Sequence, residues 1–275
     1  MATSSSNINL CFLMLCVSLL ITTTCHGYSD HAALFIFGDS LYDAGNNNYF
    51  NNTIIRANFT PYGETFFKYP TGRASDGRLI PDFIAEYANL PLIPPYLQPG
   101  NNRFIDGANF ASIGAGALVE TNGGLVIDLQ TQLSYFMNME KQLKQQLGDT
   151  EAKKVLSKAV YIFSIGGNDY FAALAPNSTI LQLHSRKEYV GMVIGNITTV
   201  IKGIHKRGGR KFGFSKMINL GCLPSLRAVK MANTGRSGCM DEATLLTKLH
   251  NRALSKTLKE LERQLEGFKY SNFDA

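Results

Sequence analysis

Ser40 is the residue in this sequence best placed to act as a nucleophile. It follows Gly38 and Asp39 directly after the apolar run of residues 32–37. A serine hydroxyl is a weak nucleophile until a base removes its proton, and a tight turn after a buried strand exposes the hydroxyl while fixing its direction. The position therefore predicts nucleophilic chemistry at Ser40. The alternative is that Ser40 only caps a following helix, because Ser is a common N-cap residue.

Two further positions could donate hydrogen bonds to the oxyanion that forms in acyl transfer. Gly114 could present its backbone N–H without obstruction from a side chain, and Asn168 could donate from its side-chain amide. Losing one such donor raises the barrier by about 3–4 kcal/mol. Each position also has a simpler interpretation: Gly114 as a close-packing turn and Asn168 as an Asx turn beside Asp169.

The elements that must position these residues alternate between strands and helices. Apolar runs predict buried strands at residues 32–37, 109–111, 159–165 and 211–219, and the opening of a fifth strand at 269–273. Helical spacing predicts helices at residues 79–90, 129–147, 188–206 and 241–266. The last helix has an apolar stripe formed by Leu245, Leu249, Leu254, Leu258, Leu261 and Leu265.

This alternation predicts βαβ units and a parallel sheet covered on both faces. In open sheets of this kind the working site lies at the carboxyl ends of the strands. Ser40, Gly114 and Asn168 each follow such an end. The long segment of residues 51–78, rich in Pro, Gly and Asn, is expected to be a surface excursion.

Three ordered blocks of the sequence resemble those of the GDSL esterase/lipase family, within the SGNH hydrolase group. They are FGDSLYDAGNNN at residues 37–48, GANFASIGAG at 107–116 and IGGNDY at 165–170. Residues 61–63, 71–78 and 221–224 are similar to the plant branch of the family, and the resemblance runs from about Leu34 to Phe273.

The resemblance implies a flavodoxin-like three-layer α/β/α fold with a central parallel sheet. It also implies that Ser40 is the nucleophile and that an oxyanion hole is formed by the backbone N–H groups of Ser40 and Gly114 and the side chain of Asn168. The implied substrate is a small-molecule or lipid acyl ester, and no cofactor is implied.

The sequence departs from the family in one respect. The family's last block is D-x-x-H, which supplies the base His and the Asp that orients it, and no D-x-x-H occurs here. We therefore expect the catalytic Asp and His to be absent and the last strand and its covering helix to be incomplete. His184 is the one remaining candidate for the base. The alternative function is that of a catalytically inactive secreted ligand-binding protein or a truncated isoform.

The first residues predict targeting to the secretory route. The apolar run of residues 10–21 and the small residues before Tyr28 are typical of a signal peptide spanning residues 1–27. Residues 28–275 then form one hydrolase domain without a transmembrane segment, located outside the cell in the apoplast or cell wall. Four sequons predict glycosylation at Asn51, Asn58, Asn177 and Asn196.

Cysteine usage agrees with an oxidising compartment. Removal of residues 1–27 leaves only Cys222 and Cys239, and a disulfide between them would stabilise the fold by about 3 kcal/mol. The spacing of His, Cys and carboxylate residues indicates no metal cluster, and the absence of G-x-G-x-x-G and P-loop motifs argues against a nucleotide cofactor.

The net charge of +6 alone identifies no partner. The densest basic stretch, residues 202–211, has no interleaved aromatic residues, which argues against nucleic acid. Its position at the end of a predicted helix favours a solvated helix terminus, where cations offset the helix dipole.

Overall fold

Short apolar segments form a five-stranded sheet, all parallel, in the order β2-β1-β3-β4-β5. The computed structural model describes residues 31–274, so the predicted signal peptide of residues 1–27 lies outside the described residues. The strands are β1 (Leu34–Gly38), β2 (Gly107–Asn109), β3 (Val160–Ser164), β4 (Lys211–Ser215) and β5 (Lys269–Phe273).

Helices connect these strands and cover both faces of the sheet. They are α1 (Ile80–Tyr87), α2 (Leu129–Leu147), α3 (Asp149–Lys158), α4 (Gly167–Ala173), α5 (Ile180–Leu183), α6 (Arg186–Lys206), α7 (Pro224–Thr234) and α8 (Asp241–Gln264), with short 3₁₀ turns at Asn46–Asn48 and Leu220–Cys222. The three-layer α/β/α architecture expected from the sequence is confirmed.

Strand β1 shows why the sheet has two buried faces. All five of its residues are buried, and successive side chains of a strand point to opposite faces. Phe35 and Phe37 join the larger core, where Phe37 stacks on Phe163 at a centroid distance of 4.9 Å. Leu34 and Ile36 face a smaller cluster on the side of α1. A continuous apolar run is therefore the pattern that this position requires.

Several element boundaries differ from those predicted. Strand β2 comprises Gly107–Asn109, two residues earlier than expected. Gly107 (φ 125°), its first residue, lies so close to β1 that a Cβ would be 1.9 Å from Leu34 O. Helix α6 begins at Arg186, because Ser185 and Glu188 form a capping box. Helices α3, α4, α5 and α7 were not predicted; α7, for example, buries only Leu226.

The predicted apolar stripe of α8 is shifted by one residue at its start. Leu245 is 43% exposed, whereas Leu246 is fully buried. Leu254, Leu258 and Leu261 are buried as expected. The first turns of α8 pack against α6 and the Leu220–Cys222 turn, and this contact selects the face that carries Leu246.

The disulfide candidate lies beside this contact. Cys222 and Cys239 are joined by a disulfide with their Cα atoms 4.3 Å apart, which ties the turn after β4 to the start of α8. The Met240 N–H donates to Gly221 O at 2.8 Å and reinforces the same junction.

Gln132 of α2 fixes the end of β1. Its side chain is fully buried; Oε1 accepts from the Gly38 N–H at 2.9 Å, while Nε2 donates to Gly38 O at 2.8 Å and Ile127 O at 2.9 Å. The strand ladder provides no partner for the Gly38 N–H, so one amide side chain completes the hydrogen bonding where β1 ends.

We expect Gln132→Leu to lower the free energy of unfolding by about 1–3 kcal/mol, because it leaves the buried Gly38 N–H without an acceptor. Urea unfolding followed by circular dichroism measures the change. The matched control is Gln130→Leu, at an exposed position of the same helix. Equal stability of the two variants would contradict this role for Gln132.

Candidate active site

Ser40 lies in the turn at the carboxyl end of β1. The Asp39 N–H donates to Ser164 O on β3, and the N–H groups of Tyr42 and Asp43 donate to Asp39 O, all at 3.0 Å. Ser40 itself is half-buried. Within residues 31–274, neither its hydroxyl nor its backbone N–H forms a hydrogen bond, so both groups remain available to a ligand.

Asn168, in the first turn of α4, lines the same cavity as Ser40. Its Nδ2 donates to Ala115 O at 2.9 Å, which uses one of its two amide hydrogens. Gly114 precedes this carbonyl, at φ 85°. Its N–H has no acceptor in the described part of the chain. Gly114 is not among the residues lining the cavity, but the bond to Ala115 holds its loop against Asn168.

The carboxylate of Asp169 joins α4 to the loop that follows β2. It accepts hydrogen bonds from Ala117 N–H at 2.9 Å, Leu118 N–H at 3.0 Å and Thr121 Oγ1 at 2.7 Å. Burial raises the pKa of Asp169, and these three donors oppose that shift. Asp169 therefore sets the position of the Gly114 loop relative to Asn168.

Asp43 performs the same task for the loop after β1. Its Oδ1 accepts from the N–H groups of Gly45 and Asn46 at 2.7 Å, and its Oδ2 accepts from Ile113 N–H at 3.0 Å. Asn47 Nδ2 donates to Ile113 O at 3.0 Å.

The interpretation of Ser40 as a helix cap is wrong, since the next helical turn begins at Asn46 and Gly45 is its N-cap.

The cavity beside Ser40 has a volume of about 200 Å³. Its polar residues lie toward the strand ends: Asp39, Ser40, Ser164, Asn168, Ser215 and Lys216. The remaining wall is mainly apolar and is formed by Leu41, Ile165, Phe171, Met217, Ile218, Leu220 and Leu223, with Gly167. An apolar chamber with a free hydroxyl and an amide at one end suits a molecule with a polar carbonyl group and an apolar substituent.

None of the residues that line this cavity is a histidine. His184 lies at the C-cap of α5, and His205 hydrogen-bonds Glu266 O at 2.9 Å. His250 is buried in α8 with Nδ1 2.9 Å from Tyr170 OH, and burial lowers its pKa to about 4. The structure therefore does not place His184 beside Ser40 in the cavity.

Asp39, next to Ser40, is a buried carboxyl group whose pKa lies close to neutral pH. Burial raises the pKa of Asp39 to about 7, and the nearby Asp169 carboxylate adds to the rise, while the Leu41 N–H bond opposes it. That N–H donates to Asp39 Oδ1 at 3.1 Å. Near neutral pH, Asp39 therefore exists in both protonation states.

Residues 31–274 contain no group of three or more His, Cys, Asp or Glu side chains arranged to hold a metal ion. No helix in the same range is long and apolar enough to cross a membrane.

Sequence reasoning missed the polar side chains that fix the site: Asp43, Asn46, Asn47, Asp169 and Gln132. All five are buried. A signal was present for four of them, because Asp and Asn directly after a buried strand commonly hydrogen-bond nearby backbone groups. Gln132 lies within a regular helical pattern and gave no local signal.

Comparison with known families gives a match to the model described as GDSL-like Lipase/Acylhydrolase over residues 34–275. The chain is 50% identical over 275 residues to a GDSL lipase of Tanacetum cinerariifolium, covering all of this chain and 72% of that protein. It is 53% identical over 251 residues to GDSL esterase/lipase 5 of Arabidopsis thaliana, covering 90% of this chain and 64% of that protein.

The chain therefore spans roughly two thirds of the length of the relatives it matches, 64% of one and 72% of the other. Among solved structures, a carbohydrate esterase aligns with 89% of this chain and 59% of its own at 14% identity and a TM-score of 0.44. At that TM-score the likeness supports no argument.

We expect Asp39→Asn to change how stability depends on pH. Between about pH 4 and 7 the folded protein holds the Asp39 proton and the unfolded chain releases it, so this contribution to stability is present at low pH and lost as pH rises through about 7. The free energy of unfolding of the wild type, minus that of the variant, should fall by up to about 1.4 kcal/mol per pH unit. Urea titrations from pH 4.5 to 8 measure this difference.

Asp128→Asn is the control for this experiment, because it alters a helix N-cap carboxylate away from the cavity. A difference between wild type and Asp39→Asn that stays constant across the pH range would refute the raised pKa.

Proposed function

The chain belongs to the GDSL-like lipase/acylhydrolase family, and from this premise we propose that its site serves nucleophilic attack on carboxylic esters. The supporting observation is that the Ser40 hydroxyl, free of hydrogen bonds to described residues, shares one cavity with the Asn168 amide. Because the chain spans roughly two thirds of its relatives' length, the activity of the whole protein is part of the proposal.

In the proposed reaction, Ser40 Oγ attacks the ester carbonyl carbon and a base accepts its proton. The carbonyl oxygen becomes an oxyanion, held by the N–H groups of Ser40 and Gly114 and by Asn168 Nδ2. Collapse of this intermediate expels the alcohol, which takes the proton back from the base, and water then releases the acid from Ser40 by the same route. Preorganised donors contribute because they need no rearrangement when the charge forms.

No described histidine is in position to act as the base of this reaction. No histidine lines the cavity, and His250 is engaged with Tyr170. The second candidate function, favoured by the lack of a histidine among the cavity-lining residues, is binding of acyl ligands with little turnover.

The cavity supports a substrate with a short acyl group or a single ring. Its volume is about 200 Å³, and an apolar protein cavity of roughly 150 Å³ holds benzene. Longer acyl chains would have to extend past the half-exposed Leu41 and Ile218 at the cavity wall.

Secretion is also part of the proposal, supported by the positions of the sequons. Asn51, Asn58 and Asn177 are exposed and lie outside helices and strands. Asn196 lies within α6, is only partly exposed, and donates its amide to Met192 O at 3.1 Å. The first three therefore suit glycan attachment better than the fourth.

We expect the purified 275-residue chain to hydrolyse p-nitrophenyl butyrate far more slowly than a working esterase, with a residual rate at most about 10³–10⁴-fold above water. Without a base, Ser40→Ala should leave this rate unchanged. Asn168→Ala should lower it by about 10²–10³-fold, since it removes an oxyanion donor. Release of p-nitrophenol measures all three proteins.

The control variant is Asn177→Ala, an exposed asparagine outside the cavity, which should retain the residual rate. Rapid turnover that disappears in Ser40→Ala would show that the chain contains its own base, and His184→Ala would then be the next variant to measure. A residual rate insensitive to Asn168→Ala would remove Asn168 from the oxyanion hole.

On expression in a eukaryotic secretory host, we expect the protein to enter the medium with glycans at Asn51, Asn58 and Asn177 and none at Asn196. Intact mass before and after peptide N-glycosidase F, with peptide mapping of the resulting Asp residues, measures occupancy. Retention inside the cell, or a fully occupied Asn196, would contradict the expectation.

A further inference from the structure

A strongly basic groove lies where helices α2, α3 and α6 meet. Two adjoining clefts of about 550 and 310 Å³ form it and share four lining residues. We define the basic groove by its charged lining residues: Lys141, Lys144, Lys153, Lys154, Lys206, Arg207 and Arg210, with Glu140.

The excess of cations over acids in the groove lining equals that of the whole chain. The lining has seven cations and one carboxylate, an excess of six. The chain has 27 cationic and 21 acidic residues, also an excess of six. The residues outside this lining, 20 cationic and 20 acidic, therefore balance in number.

Buried Glu140 holds part of the groove in place. It is 8% exposed and pairs with Lys144 Nζ at 2.7 Å and Arg207 Nε at 3.1 Å. Arg210 Nη1 donates to His205 O at 2.9 Å and Gly209 O at 2.8 Å. These side chains are preorganised, which lowers the entropy lost when a ligand binds.

The groove also contains cations that no acidic side chain neutralises. Lys153 and Lys206 are exposed and have no carboxylate partner among the described residues. Lys154 has one, in Glu151 at 3.5 Å on the same helix. The unpaired ammonium groups are the ones most available to an external anion.

The surroundings of the groove favour one class of anionic partner. In the described chain, none of the large apolar side chains that are exposed lies in residues 137–158 or 203–211. An amphipathic membrane-binding surface inserts apolar side chains beside its cations, and proteins that bind single-stranded nucleic acid offer aromatic rings on which bases stack. A concave groove whose charged lining is seven cations and one buried carboxylate instead matches a hydrophilic polymer that carries carboxylates.

The location keeps the groove apart from Ser40. Strand β4 begins at Lys211, directly after the Arg210 side of the groove, whereas Ser40 follows the opposite, carboxyl end of β1. In a parallel sheet these ends are separated by the strand length, about 17 Å for five residues.

We propose that the basic groove binds an acidic polysaccharide, a polymer of uronate sugars, and leaves the Ser40 cavity open to its own ligand. Its cations pair with successive sugar carboxylates, so binding is electrostatic and weakens with salt. The proposal does not depend on hydrolysis by Ser40.

The test is affinity electrophoresis of the purified 275-residue chain in gels that contain polygalacturonate, with its fully methyl-esterified form as the uncharged comparison. We expect retardation only by the charged polymer, decreasing as salt rises. Lys153→Gln combined with Lys206→Gln should weaken binding about tenfold, since two exposed ion pairs together contribute about that factor.

The matched control is Lys256→Gln with Lys259→Gln, two exposed lysines of α8 in a different cleft. It removes the same net charge and should leave retardation unchanged, while circular dichroism checks that both variants are folded. Equal weakening by both pairs would show binding by overall charge and would overturn the proposal. Tighter binding to vesicles of anionic phospholipid or to single-stranded DNA than to polygalacturonate would overturn it as well.

Discussion

The buried carboxylate of Asp169 is the interaction on which the site depends. A charged or polar group in a protein interior must be hydrogen-bonded, and Asp169 meets this requirement with Ala117 N–H, Leu118 N–H and Thr121 Oγ1. These partners belong to the loop that carries Gly114, about 50 residues earlier in the chain. Asn168 directly precedes Asp169, so the same contacts place it beside this loop. There its Nδ2 donates a hydrogen bond to Ala115 O.

The other loop of the site is held by the same physical rule. The turn after β1 is largely buried, and the side chains of Gln132 and Asp43 accept hydrogen bonds from its backbone N–H groups. Asp43 and Asn47 also bond the backbone of Ile113, which ties this turn to the loop after β2. With these bonds satisfied inside the loops, the Ser40 hydroxyl and two backbone N–H groups remain unused by the described residues. Rigid loops with a few free donors are what a preorganised oxyanion site requires.

The carboxyl ends and the amino ends of the parallel strands carry different kinds of residues. At the carboxyl ends, small polar groups meet an apolar cavity beside Ser40. At the amino ends of β3 and β4, the helix termini gather lysines and arginines around the buried Glu140. All strands run in the same direction. Residues that follow strands therefore lie at one end of the sheet, and residues that precede strands lie at the other. One topology thus places the cavity beside Ser40 and the basic groove at opposite ends of the strands.

The sequence by itself determined the strand before Ser40, the helix Leu129–Leu147, the α/β class and the family, because apolar periodicity and short ordered motifs are local properties of the chain. Tertiary structure alone decided that Gln132 completes the end of β1, that α8 buries Leu246 instead of Leu245, and that His250 pairs with Tyr170. It also joined Lys153 of α3 and Lys206 of α6 in one groove, although residues 202–211 alone indicated a solvated helix end. These outcomes depend on which side chains from different elements come into contact. Packing between residues far apart in the chain determines those contacts, so no local sequence pattern predicts them.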